Sequence, residues 1–146
     1  PMTEAEYRHR SPLFHLAAAK GVPLDINTGI HDGHTGSVPV SHSLRAFNVL
    51  AAPGRQVSAE DIDFMVREQK IPAALAPETQ NDPEREKTTL FRRASGNARV
   101  TVFEGGHESE SSAGVLWLSR QRKGQPADFS LGANPSQAGA ATEVSK

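Results

Sequence analysis

The 146-residue chain contains no cysteine. This excludes a disulfide framework, a thiolate zinc ribbon and a thiol nucleophile, although it leaves the compartment open. Aromatic side chains are scarce, with one tryptophan and one tyrosine, and no basic stripe is interleaved with them. An excess of one charge is lacking too: 16 Lys and Arg stand against 17 Asp and Glu, a net charge of −1. Bulk electrostatics therefore favour neither nucleic acid nor an anionic membrane surface as a partner. No apolar run approaches the roughly 20 residues needed to cross a bilayer. The opening Pro1-Met2-Thr3-Glu4 carries no signal-peptide pattern, and a start on proline suggests a piece of something longer.

What is present reads as helices alternating with strands. Ser11-Pro12 pairs a cap with proline at the first helical position, opening a short helix that runs through Leu13, Leu16 and Ala17 to Gly21. Residues 22–28 form a strand candidate, and residues 29–37, with three glycines, form a tight loop. Val40, Leu44, Phe47 and Leu50 recur at helical spacing until Pro53-Gly54. Ser58 with Asp61 resembles a capping box ahead of Ile62, Met65 and Val66. Residues 76–88 have the composition of an exposed insertion, with a few helical residues expected around Leu90 and Phe91. Residues 99–104 are β-branched and alternating, which predicts a strand. A final amphipathic helix contains Val115, Leu116, Trp117 and Leu118 and ends in basic residues before Gly124. Gln125 to Lys146 lacks periodicity and is expected to be disordered.

Two strands joined by helical crossovers predict parallel pairing in an α/β sheet. Two strands are few for a sheet covered on both faces, so the remainder is expected upstream of this chain. In open α/β sheets the functional crevice lies at the carboxyl ends of the strands. Asp32 follows the first strand, and His107 follows the second after Gly105-Gly106. An acid and then a histidine at one sheet edge suits hydrolysis through a serine. Histidine takes the hydroxyl proton and returns it to the leaving group, while the carboxylate fixes the ring's tautomer.

Several short motifs carry a resemblance. Arg10-Ser11-Pro12-Leu13, Val22-Pro23-Leu24 leading to Gly29 and Asp32, Val38-Pro39 with His42-Ser43, and Phe103-Glu104-Gly105-Gly106-His107-Glu108 occur in this order. Together they resemble the prolyl oligopeptidase-type branch of the α/β-hydrolases over residues 7–123, with 55–97 the poorest match. The resemblance implies that residues 1–123 are the C-terminal part of an α/β-hydrolase domain, that 55–97 is a helical insertion, and that 124–146 is a disordered tail. It further implies a peptide or ester substrate, an acyl-serine intermediate, no cofactor, and the rest of the parent domain as partner. Five residues separate Asp32 from Val38, where the family usually has two. No Gly-x-Ser-x-Gly occurs; Ser112-Ala113-Gly114 follows Glu110-Ser111 inside a helix and after the histidine. The serine is therefore expected outside this chain.

Competing readings exist for most of these residues. Asp32-Gly33 also suits a simple turn. Asp25 is a rival acid, but its alternation with Leu24 and Ile26 predicts a residue facing outward from the strand. Glu108 suits the first turn of the last helix. His31, Asp32, His34 and His42 could ligate a metal, although their spacing matches no established ligand pattern; His34 could instead touch substrate. Arg92-Arg93 and the charges at 120–123 read as solvated faces or helix ends, and Trp117 as core. A non-catalytic module that keeps the hydrolase shape is the remaining alternative.

Overall fold

The computed structural model describes residues 2–79 and 81–131. The chain has mixed α/β content: one small open sheet with helices around it. The elements run α1 (Glu4–Arg10), two 3-10 turns (Pro12–Phe14 and Leu16–Ala19), β1 (Leu24–Gly29), α2 (Val40–Leu50) and α3 (Ala59–Glu68). A 3-10 segment (Ala73–Glu78), β2 (Thr89–Ser95), β3 (Ala98–Phe103) and α4 (Ser111–Arg120) follow. Thr3 and Glu6 cap α1 reciprocally. The helix expected from Ser11 is replaced by the two 3-10 turns, and Pro12 opens the first of them.

The sheet has the order β1-β3-β2. β1 and β3 pair in parallel from Leu24↔Ala98 to Gly29↔Phe103, as the helical crossover between them requires. β2 is antiparallel to β3 and occupies residues for which a few helical positions were expected. Its register leaves Gly96 and Asn97 between the Ser95↔Ala98 pair, and Gly96 adopts φ +56°, which suits the first central position of a two-residue hairpin turn. Residues 55–97 are therefore not a purely helical insertion.

Paired residues share a face of the sheet. On one face Ile26, Val100, Val102 and Phe91 meet Leu44, Phe47 and Leu50 of α2 and Ile62 and Met65 of α3, in a core that also holds Ile30, Val40 and Val57. The Ser58 hydroxyl accepts from Asp61 N (3.0 Å) and donates to the Asp61 carboxylate, starting α3 where the sequence placed its cap.

The opposite face is charged and closed. Arg99 donates to both oxygens of Asp25 at 2.7 and 2.9 Å. Arg92 donates to Asp82 at 2.6 Å and to Thr101 at 3.1 Å. Arg85 bridges Asp82, Glu110 and Asn27. Three guanidinium groups thus meet three carboxylates, every one of these side chains at most 4% exposed. Burial alone would raise the Asp82 pKa, but hydrogen bonds from Arg92 and the Glu84 amide, with the nearby arginine charges, outweigh it and hold the carboxyl below its ordinary value. Two expectations are corrected here. Asp25 does not face solvent, and Arg92 is buried, because a second layer covers this face. Arg93 is likewise engaged, by Glu78.

Trp117 is buried, as expected. It stacks on Phe129 with centroids 6.4 Å apart, and the Arg99 guanidinium lies 5.0 Å from the Phe129 ring. The Ala127 amide donates to Asn97, so the first residues after Gly124 pack against the domain rather than trailing free. The expectation of disorder for 132–146 lies outside the described residues. Val115, Leu116 and Leu118 of α4 are exposed.

Buried ion pairs of this kind are costly to break one-sidedly. Asp25→Asn, which leaves Arg99 without its charge partner, is expected to cost about 3–5 kcal/mol in urea unfolding. Replacing the pair together (Asp25→Leu with Arg99→Met) should recover much of that loss. A change within about 0.5 kcal/mol for Asp25→Asn, the scale of an ordinary surface substitution, would show the network to be inconsequential.

Candidate active site

The ends of β1 and β3 lie side by side, and the chain continues their ladder beyond the strands. Ile30 N donates to Phe103 O at 2.9 Å, and His31 N donates to Gly105 O at 2.9 Å. The loop after β1 and the turn after β3 are therefore stitched together before either turns away. Asp32 N bonds back to Gly29 O at 3.2 Å, and the Asp32 carbonyl accepts from Val40 N at the start of α2. These contacts hold Asp32 at the sheet edge.

His107 Nδ1 lies 3.1 Å from Asp32 Oδ1 and 3.1 Å from Asp32 Oδ2. The two residues are 75 positions apart in sequence. The carboxylate side chain is 9% exposed and the imidazole 57% exposed. The acid is thus sheltered while the far side of the ring remains open, and among the described residues His107 Nε2 has no hydrogen-bond partner. No described serine hydroxyl bonds to it either. The arrangement can hold a proton on Nδ1 and leave Nε2 free to accept one.

The glycines on both sides of the pair are there for close approach. Gly33 has φ +91°, and a Cβ on it would also lie 2.7 Å from Pro39 Cα. A Cβ at Gly36 would lie 2.5 Å from His107 Cβ and 3.2 Å from Asp32 Oδ1. The long loop between Asp32 and Val38 is therefore folded down over the pair. Gly105 and Gly106 were expected to supply a sharp turn, but neither has a positive φ. What they supply is space: Glu108 packs against the first and Thr35 against the second.

The remaining candidates are dispersed. His34 Nε2 donates to Val66 O of α3 at 2.7 Å, so this ring braces the loop. His31 binds Gln69 and Glu104. His42, on α2, lines a cavity of about 340 Å³ with Arg45, Leu13 and Leu16, none of them from the loops that carry Asp32 and His107. Among the described residues no three metal-ligating side chains converge, so the metal alternative finds no ligand set there. Asp25 is committed to Arg99 on the charged face. Glu108 precedes α4 rather than lying in its first turn; it accepts from Gly106 N at 3.2 Å and pairs with Lys87 at 3.1 Å. The Lys87 hydrogen bond and the Gly106 amide lower its pKa. Sequence reasoning passed over Glu110, the buried acid that joins Arg85 to the Lys87 amide (2.9 Å) beneath this turn.

No protein-family model, curated protein or solved structure matches the chain.

The packing of Gly36 on His107 can be tested directly. Gly36→Ala is expected to push the loop off the imidazole and open the Asp32–His107 separation beyond hydrogen-bonding distance, about 3.5 Å. A crystal structure of the variant reads this. An intact pair at its original spacing would mean that the loop merely lies near the site.

Proposed function

We propose that this chain is the acid- and histidine-bearing part of a serine hydrolase of the α/β-hydrolase type, cleaving a peptide or ester bond through an acyl-serine intermediate. The observation that carries the reading is the Asp32–His107 pair: both Asp32 carboxylate oxygens 3.1 Å from Nδ1, at the carboxyl ends of adjacent parallel strands, acid before histidine in the chain. Asp32 would fix the Nδ1–H tautomer and stabilise the imidazolium. Nε2 of His107 would take the proton of the serine hydroxyl as it attacks the carbonyl, then deliver it to the departing amine or alcohol. In the second half-reaction the same nitrogen would activate water against the acyl-serine.

The serine would come from sequence outside these residues, since no nucleophile elbow occurs among them. Most of the oxyanion hole and the substrate pocket would come with it. The open edge of β1 among the described strands, and the exposed Val22, Tyr7 and Phe14, are where further strands and helices of such a domain would lie. Acyl transfer of this kind needs no cofactor.

Two experiments test the proposal. The 146-residue chain alone should neither turn over a chromogenic short-chain ester nor be labelled by a fluorophosphonate. In an enzyme that carries the serine together with this chain, Asp32→Asn should lower kcat by on the order of 10⁴-fold, and His107→Ala by at least as much. Asp25→Asn should act on stability and leave kcat of the folded enzyme largely unchanged. Labelling of the isolated chain, or loss of turnover through Asp25 with Asp32→Asn fully active, would overturn the assignment.

A further inference from the structure

Two successive residues on the loop after β1 meet two on the turn after β3 with the chemistry reversed: His31 faces Glu104, and Asp32 faces His107. His31 Nε2 lies 2.6 Å from Glu104 Oε1, and its Nδ1 lies 2.8 Å from Gln69 Oε1. Both partners accept hydrogen bonds in this geometry. With the Gln69 amide oxygen toward Nδ1, the ring donates from both nitrogens, as an imidazolium does. Gln69 caps the C-terminus of α3 at φ 52°, the one non-glycine residue of positive φ among those described. A left-handed glutamine is uncommon, and here its side chain reaches His31.

The charged and titratable groups around His31 are few. β3 presents Glu104. On α3, Glu68 precedes Gln69 and pairs with Arg67. On its own loop, Asp32 faces His107 and His34 is bound to Val66 O.

We propose that His31 is a positioning residue for the acid: its imidazolium ties the Asp32 loop at once to the exit of β3 and to the end of α3, and deprotonation releases one tie and lets Asp32 drift from His107. The consequence for catalysis rests on the hydrolase reading, whereas the tie does not. The Gln69 and Glu104 hydrogen bonds raise the His31 pKa by more than burial lowers it. A group raised on folding stabilises fully below its unfolded pKa of about 6.5. Its contribution is lost as pH rises through the folded value.

The test combines an NMR titration of the His31 ring with amide hydrogen exchange of the full chain across pH. His31 should titrate above the ordinary histidine value. Protection of the Ile30 and His31 amides, corrected for the intrinsic pH dependence of exchange, should fall on the order of tenfold with the same midpoint, the worth of one charge-assisted hydrogen bond. Glu104→Gln should lower both midpoints together. His31→Arg, which keeps a cation and donors for Glu104, should make protection independent of pH over that range. Flat protection in the wild-type chain, or midpoints that Glu104→Gln does not move, would overturn the proposal. The wild-type profile decides the matter by itself if a variant fails to fold. No serine or substrate enters the experiment, so its failure leaves the hydrolase reading standing, and an inactive hydrolase leaves the tie standing.

Discussion

The parallel pairing of β1 with β3 is the constraint from which the rest of the site follows. A parallel pair forces both strands to end at the same edge, however far apart they lie in the chain. With Gly29 opposite Phe103, the next residues of each strand emerge side by side, and the Ile30 and His31 amides extend the ladder onto the β3 exit. Asp32 and His107 are then neighbours by geometry. An antiparallel arrangement would have sent them to opposite ends of the sheet.

The two faces of the sheet hold this pairing in different ways. One is closed by apolar packing against α2 and α3, which fixes α2 close to the acid loop through the bond from Val40 N to Asp32 O. The other is closed by a ring of paired charges reaching from Asp25 on β1 through Arg99 on β3 and Arg92 on β2 to Asp82, Arg85 and Glu110. Such a network contributes little net stability compared with hydrophobic packing, but each member left unpaired costs several kcal/mol. Because Glu110 follows His107 closely and accepts from the Lys87 amide, the network also anchors the histidine turn from beneath. Glu108 adds a second hold through Lys87 and Gly106. The pair sits where independent restraints meet: the ladder, the folded-down loop with Gly36 on His107, and the anchored turn.

Much of this was legible in the residues, and the exceptions share a cause. The periodicity of Val40, Leu44, Phe47 and Leu50 marked α2 and its buried face, Ser58 marked the start of α3, and the β-branched run marked β3. The juxtaposition of Asp32 and His107 followed from strand order alone. What failed depended on partners distant in sequence. Arg92 and Arg93 look solvated unless Asp82 and Glu78 are known to meet them, and those acids lie in a stretch without periodicity. The alternation around Asp25 gave its face correctly, but it could not show that a second layer covers that face. His31 looked like one more residue of a histidine cluster because Gln69 and Glu104 are 38 and 73 residues away. Only Gly96-Asn97 offered a local sign of the missed strand, as a two-residue hairpin turn.

The central claim is that Asp32 sets the tautomer of His107, leaving Nε2 as the base. It is tested most directly by nitrogen-resolved NMR of the His107 ring, under conditions where the ring is neutral. The expected result is a proton on Nδ1, with a strongly deshielded resonance that disappears in Asp32→Asn, where an amide can turn its NH₂ toward the ring and favour the other tautomer. A neutral ring protonated on Nε2 in the wild-type chain, or a resonance that Asp32→Asn leaves unchanged, would contradict the claim.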